Sequence, residues 1–267
     1  MKDQPITPPH DKPFHITDYD PAETHGLSKE QALSEIDQLR TRLNELQDLL
    51  YADRRFGLLV VLQAIDTGGK DGTTKSVFRE VGPLGCAVFS FGVPSAEEAA
   101  HDYLWRYRVN TPERGKVVIF NRSYYESVLV ERVNELVSKH VWEKRYDDIN
   151  RLEAYLAEQH IVVAKFFLHI SKDEQRERLQ DRIDTPKKRW KFHSGDLDER
   201  KKWDAYQDAF EAMVDRCNTK SAPWHVVPAD HKWYRDVVVA KALIERLEAL
   251  DLRYPEPEAG IEKIRVE

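Results

Sequence analysis

The stretch AIDTGGKDGT, residues 64–73, gathers the residue types that phosphate chemistry uses: Gly68, Gly69 and Gly72, Lys70, two aspartates (Asp66 and Asp71), and Thr73. Consecutive backbone N–H groups at the start of a helix, with a lysine beside them, can replace the water around a phosphate. The spacing departs from the usual G-x-x-x-x-G-K-[ST] loop. Ala64 stands at the first glycine and Asp71 at the hydroxyl position, so only Gly69 and Lys70 match. A glycine turn with a solvated Lys70 is the alternative reading. The hydroxyl that an ordinary nucleotide-hydrolysing loop gives to Mg²⁺ is missing, so a metal must take its oxygen ligands elsewhere. Asp66 is the candidate, because a carboxylate aimed into a phosphate cradle repels the ligand unless a cation lies between. Otherwise it caps the turn.

A second constellation is FNRSYYESVLVERV, which begins at residue 120. Asn121, Arg122 and Glu126 leave the end of an apolar run, where a metal-binding acid often stands in phosphate-loop proteins. Asn121 is neutral, and Glu126, about one helical turn on, can supply the missing carboxylate. Arg122 offers a planar fork suited to a phosphoryl group in flight; an Arg–Glu pair closing the strand end is the alternative. The third constellation is SKDEQRERLQDRIDTPKKRWKF, in which Arg178 and Arg182 lie one turn apart on a helix. Five basic residues, including Lys188 and Lys191, fall between Arg182 and Lys191 against one acid, Asp184, in a chain of net charge −6. That local excess suits a lid closing over a polyanion, though charge runs are commonly solvated surface.

The elements that must position these groups follow from the apolar pattern. LLVVLQA (58–64), AVFSF (87–91), KVVIF (116–120), IVVAKFFLHI (161–170) and WHVVP (224–228) are apolar almost throughout, as strands covered on both faces are. Helical patterns alternate with them, opened by capping-box spacings at Ser28 with Gln31, Ser95 with Glu98, Ser171 with Glu174 and Asp196 with Glu199. Alternation of this kind predicts right-handed crossovers and a parallel sheet between helices, with ligands beyond the carboxyl ends of the strands. A long amphipathic helix carries Ile36, Leu39, Leu43, Leu46 and Leu50. Its stripe packs on its own domain or on another subunit.

The 267 residues, 41% hydrophobic and 33% charged, suit one soluble domain with appended helices. We expect an arm over residues 1–26, a phosphotransferase domain over 27–255 with a lid at about 172–195, and a tail over 256–267. The arm holds five prolines and no apolar core of a secretory signal, and no run approaches the length of a membrane span, so a cytoplasmic protein is expected. Cys86 and Cys217 stand apart from any metal-binding cluster and read as small buried hydrophobes. The acidic balance argues against a nucleic-acid partner, and Trp105, Tyr107, Trp203 and Tyr206 read as core or interface rather than stacking platforms.

Taken jointly, AIDTGGKDGT, FNRSYYE, SKDEQRERL, PKKRWKF and PADHKWYR resemble the second polyphosphate kinase family over about residues 30–255, and Asn121 resembles its class III members. The resemblance implies a thymidylate-kinase-like phosphate-loop fold with a helical lid. It implies reversible phosphoryl transfer between inorganic polyphosphate and adenine nucleotides, AMP and ADP, with Mg²⁺ or Mn²⁺; guanine nucleotides are a further candidate. By the same resemblance Asp66, Gly69, Lys70 and Asp71 form the Walker A element, Asn121, Arg122 and Glu126 the Walker B element, and Arg178, Arg182, Lys188 and Lys191 belong to the lid. Catalytic roles are expected for Asp66, Lys70, Arg122 and Arg178, metal binding for Asp66 and Glu126, and substrate binding for Gly68, Gly69, Asp71, Gly72, Thr73, Asn121, Arg182, Lys188 and Lys191. Asp230 and Lys232 lie near where related kinases approach the base. A homo-oligomer, dimer or tetramer, is expected. The competing readings are an ATP-dependent nucleoside-monophosphate kinase, which needs the same cradle, and a non-catalytic polyphosphate or nucleotide sensor.

Overall fold

The computed structural model describes residues 7–266; residues 1–6 of the expected arm and Glu267 of the expected tail lie outside them. The strands are β1 (Gly57–Gln63), β2 (Cys86–Ser90), β3 (Val117–Asn121), β4 (Ile161–His169) and β5 (Trp224–Pro228). The helices are α1 (Lys29–Asp53), α2 (Lys70–Val77), α3 (Ala96–Ala100), α4 (Trp105–Arg108), α5 (Val130–Val133), α6 (Lys139–Glu158), α7 (Lys172–Asp184), α8 (Gly195–Lys201), α9 (Trp203–Cys217) and α10 (Lys232–Glu248). All strand pairs are parallel, in the order β2-β3-β1-β4-β5. Helices α1, α2 and α10 pack together, and α5, α6 and α9 form another group, with α6 and α10 both reaching β4. This is the three-layer arrangement that the alternating pattern predicts.

Why the chain takes these elements is visible residue by residue. β1, β3 and β5 are buried at every position, and β4 at every position but Val162, as apolar runs without alternation require. β2 departs from the expectation of two covered faces. It lies at the sheet edge, leaving Val88 in the open, with Leu84 exposed just before it. The stripe of α1 packs on α10 of its own chain, and the helix starts with the full Ser28–Gln31 capping box. Ser95 with Glu98 also forms both halves of its box, whereas Ser171 caps through Glu174 N–H while the Glu174 carboxylate turns to Arg178. Asp196 does not open its helix: Ser194 precedes it at the cap position, and Asp196 accepts from Arg182 instead.

Within the expected arm, Phe14 and Ile16 are buried, and their N–H groups donate to Asp215 and Glu211 of α9. Pro21 O accepts from Asp230 N–H, so this segment reaches the loop that opens α10. Tyr107, Trp203 and Tyr206 are buried, and Trp105 is half-buried and stacked on His101 at 4.1 Å. Cys217 is buried and Cys86 only partly so; both are free thiols. Among the described residues no helix is long and apolar enough to cross a membrane.

Candidate active site

The phosphate loop and the Asn121–Glu126 segment meet because their strands are neighbours in register. Leu62 of β1 faces Asn121 of β3, and one residue further Arg122 N–H donates to Leu62 O at 3.1 Å. The loop then turns through two left-handed residues, Thr67 (φ 65°) and Gly69 (φ 106°), before α2 begins at Lys70. A left-handed conformation is unusual for a β-branched residue, and such strain gathers at ligand clamps. Gly68 N–H closes the turn on Ile65 O at 3.0 Å, and a Cβ at Gly68 would press on Ala64 and Ile65 O. Thr73, fully buried, donates through its hydroxyl to Gly69 O at 3.1 Å and so fixes the first turn of α2.

Lys70 is not solvated. Its Nζ folds back over the loop and donates to Ala64 O at 2.8 Å and Ile65 O at 3.3 Å. Burial, then the neighbouring Arg122 charge, pulls its pKa down to about 8, with Asp66, Glu126 and Asp71 opposing. A charge that reluctant to stay without a counter-ion is suited to receiving an anion.

Arg122 bridges the two candidate metal acids, donating to Asp66 at 2.6 Å and to Glu126 at 3.5 Å. Burial opposes its charge, but Glu126 and Asp66 outweigh it and raise the pKa. Asp71 accepts from the Asn121 amide at 2.7 Å and faces Lys191 at 3.6 Å. Partial burial works against its ionisation, yet the Asn121 amide and Lys191 hold it below the ordinary carboxylate range. An aspartate at 121 would set two acids against each other here, so the neutral amide fits the acid that follows Lys70.

The lid residues divide. Lys191 reaches Asp71, but Lys188 donates to Asp181 at 2.5 Å and Arg182 to Asp196 at 3.3 Å, neither touching the loop. Arg178 departs from the expectation of an open lid cation. It is buried, with Nε on Glu174, Nη1 on Thr67 O at 3.0 Å, and Nη2 on Ala229 O at 2.5 Å and Asp230 O at 3.2 Å. Its guanidinium therefore ties α7 and the β5–α10 turn to the phosphate loop. Asp230 completes that junction by accepting from Ser171 N–H at 2.8 Å. Partial burial, then the Arg178 and Arg235 charges, lowers the Lys232 pKa.

Several residues that shape the site escaped the sequence reading. Gln63 donates to Glu126 at 3.1 Å, and Gln175 donates to Asp66 O at 3.1 Å. Beneath the Asn121–Glu126 turn, Lys165 Nζ donates to Glu153 at 2.7 Å and Tyr125 Oη at 2.8 Å, while Tyr124 and Tyr125 both donate to Glu153. Burial first, then Glu153, raises both tyrosine pKa values, which keeps the hydroxyls protonated as donors. Lys165 interrupting an apolar strand, and Gln63 ending another, were the available signals.

A divalent cation can be tested against these residues. Among the described residues no group of three or more His, Cys, Asp or Glu side chains is placed to hold a metal. Asp66 and Glu126 face a common guanidinium, and a cavity of about 20 Å³ is lined by both acids and by Glu199. Two carboxylates suit Mg²⁺, which takes one or two of them and completes its shell with water and phosphate oxygens.

The sequence model of polyphosphate kinase 2 matches residues 26–255. The chain belongs to the polyphosphate kinase 2 family. Its relatives include the AMP/ADP-polyphosphate phosphotransferase of Meiothermus ruber, 50% identical over 269 residues and 100% of both chains. Another is the ADP-polyphosphate phosphotransferase of Rhodopseudomonas palustris, 45% identical over 80% of this chain and 78% of that one. The crystal structure of polyphosphate kinase 2 from Arthrobacter aurescens superimposes with a TM-score of 0.91 at 39% identity, covering 94% of this chain and 90% of that one. In this polyphosphate kinase 2 chain the unusual loop, with Asp71 after Lys70, is folded between β1 and α2.

Proposed function

We propose that this protein is a cytoplasmic polyphosphate-dependent nucleotide kinase that transfers phosphoryl groups reversibly between inorganic polyphosphate and AMP or ADP. The observation that carries the reading is Lys70 folded over a left-handed glycine loop, with Arg122 held at its mouth by two acids. The loop amides and Lys70 bind and orient the migrating phosphoryl group, and Arg122 faces its equatorial oxygens, where charge spreads during transfer. Asp66 and Glu126 would hold Mg²⁺ or Mn²⁺ on releasing Arg122, and the ion would supply neutralisation of phosphate charge. The acceptor oxygen belongs to a nucleotide phosphate that is already anionic, so no side chain has to remove a proton from it.

Lys188, Lys191 and Arg182 exchange their present carboxylate partners for the polymer, while Arg178 holds the loop in place. Guanine nucleotides share the phosphates that these groups recognise and belong among the candidate acceptors. The open edge at β2, with Leu84 and Val88, gives a homo-oligomer a place to form.

The test is to incubate purified protein with polyphosphate, Mg²⁺ and AMP or ADP, without ATP in the starting mixture, and to separate the nucleotides by chromatography. ADP and ATP should accumulate. Turnover only when ATP replaces polyphosphate identifies an ATP-dependent kinase instead, and polyphosphate binding without turnover identifies a sensor.

A further inference from the structure

Arg235 sits where an apolar residue would pack at no electrostatic cost. Its neighbours Tyr234, Val237 and Val238 on α10 are fully buried, and Arg235 itself is 2% exposed. Its Nε and Nη2 both donate to a single oxygen of Asp236, at 2.8 and 2.6 Å. The flat guanidinium lies against the phosphate loop. A Cβ on Gly69 would collide with Arg235 Nη1, and one on Gly72 would stand 3.4 Å from Nη2. Arg178 Nη1 lies 3.4 Å from the same Gly69 Cβ position, so two guanidinium groups flank one glycine. Burial lowers the Arg235 pKa, Asp236 opposes that, and the like charge of Arg178 lowers it further.

That arrangement is costly for a purely structural prop. Replacing a buried ion pair by packed apolar residues is often neutral or stabilising, so the fold alone gives little reason for an arginine here. Too buried to reach a polymer in solvent, Arg235 can act only through what it touches. Gly69 carries the left-handed turn that starts α2, and the amides of the loop and of the first turn follow from it.

We propose that Arg235 is a positioning residue for phosphoryl transfer. Its planar fork, held flat by Asp236, fixes the Gly69–Gly72 backbone so that the loop amides and Lys70 converge on the migrating phosphoryl group. The proposal rests on the polyphosphate kinase reading above and assigns Arg235 no contact with substrate. A small misplacement of reacting groups costs up to about 100-fold in rate, which sets the size of the expected effect.

The test compares wild type, Arg235→Ala and Arg235→Lys in the polyphosphate-to-AMP assay, with thermal melting of each protein. Both variants should lose kcat by about 10- to 100-fold with the KM for AMP little changed. Arg235→Ala leaves the buried Asp236 without its cation and should melt lower, whereas Arg235→Lys keeps the charge and should melt nearer wild type while still losing kcat, which a merely structural role would not do. Guanidinium at tens of millimolar should restore part of the Arg235→Ala rate, because it is planar, and methylammonium at equal ionic strength should not.

Wild-type kcat in either folded variant overturns the proposal, and so does equal rescue by methylammonium, which would make the charge rather than the fork responsible. If Arg235→Ala fails to fold, Arg235→Lys decides alone, loss of kcat supporting the proposal and wild-type kcat overturning it. An inactive wild type would instead remove the kinase reading, so the two failures are distinguishable.

Discussion

Lys70 should cost the empty protein stability, and replacing it should show by how much. Its ammonium is buried over the loop, and its pKa falls from 10.5 to about 8, a penalty of about 3 kcal/mol for carrying the charge. Lys70→Met keeps most of the side-chain volume and removes the charge, while the bonds to Ala64 O and Ile65 O are lost at about 2 kcal/mol. The net expectation at pH 7 is a variant more stable by about 1 kcal/mol, or roughly 2–4 °C in Tm at this chain length.

The pH dependence follows from the direction of the shift. Because the folded value lies below the unfolded one, the unfolded chain binds more protons between about pH 8 and 10.5, so wild-type stability gains with rising pH across that window relative to Lys70→Met. The variant's advantage should therefore be widest at pH 7, vanish near about pH 9 and turn into a disadvantage by about pH 10.5. Urea unfolding of both proteins without ligand, at pH 7, 8, 9 and 10, measures it. A variant less stable than wild type at pH 7, or a gap that ignores pH, would refute the reasoning.

Three further expectations concern the surrounding residues. Arg122→Ala should lower kcat by about 100- to 1000-fold, the range seen when one preorganised donor is removed, and steady-state rates with ADP check it. Lys165→Met leaves Glu153 buried without its cation and should cost about 3–5 kcal/mol in denaturant unfolding, with the double variant Lys165→Met/Glu153→Gln recovering part of the loss. Lys188→Ala with Lys191→Ala should raise the polyphosphate KM and flatten its dependence on salt while leaving the AMP KM alone; equal salt dependence in wild type and variant would remove these lysines from the polymer track.

The sequence shows the sheet because its strands are buried on both sides, and continuous apolar runs such as LLVVLQ have no other place to go. The glycine turn from β1 into α2 is equally legible, and of its two readings the solvated Lys70 is the one the fold removes, because Nζ is buried on Ala64 O and Ile65 O. What the sequence hides is the partner of each charge. Arg178 reads like Arg182 on a helical face, yet one is buried on three carbonyls and the other pairs with Asp196, because only the fold brings the β5–α10 turn beside α7. Glu153 and Lys165 lie on different elements, and nothing local announces that they meet under Tyr124 and Tyr125. The exposed face of β2 was also invisible, since strand order, not composition, decides which strand lies at an edge. Asp66 and Glu126 were each singled out as a candidate metal acid, and the Arg122–Glu126 pair that the sequence offers as the alternative is present, with Asp66 as the second partner of Arg122.

The central claim is that polyphosphate and nucleotide react at the loop that Lys70 covers. Turnover of polyphosphate with AMP by wild type and Lys70→Met, at equal protein concentration and with melting curves taken on the same samples, tests it most directly. Wild type should form ADP and ATP, and the variant should be slower by about 100-fold or more although it melts higher. A folded Lys70→Met protein that turns over within a few-fold of wild type would place the chemistry elsewhere and contradict the account.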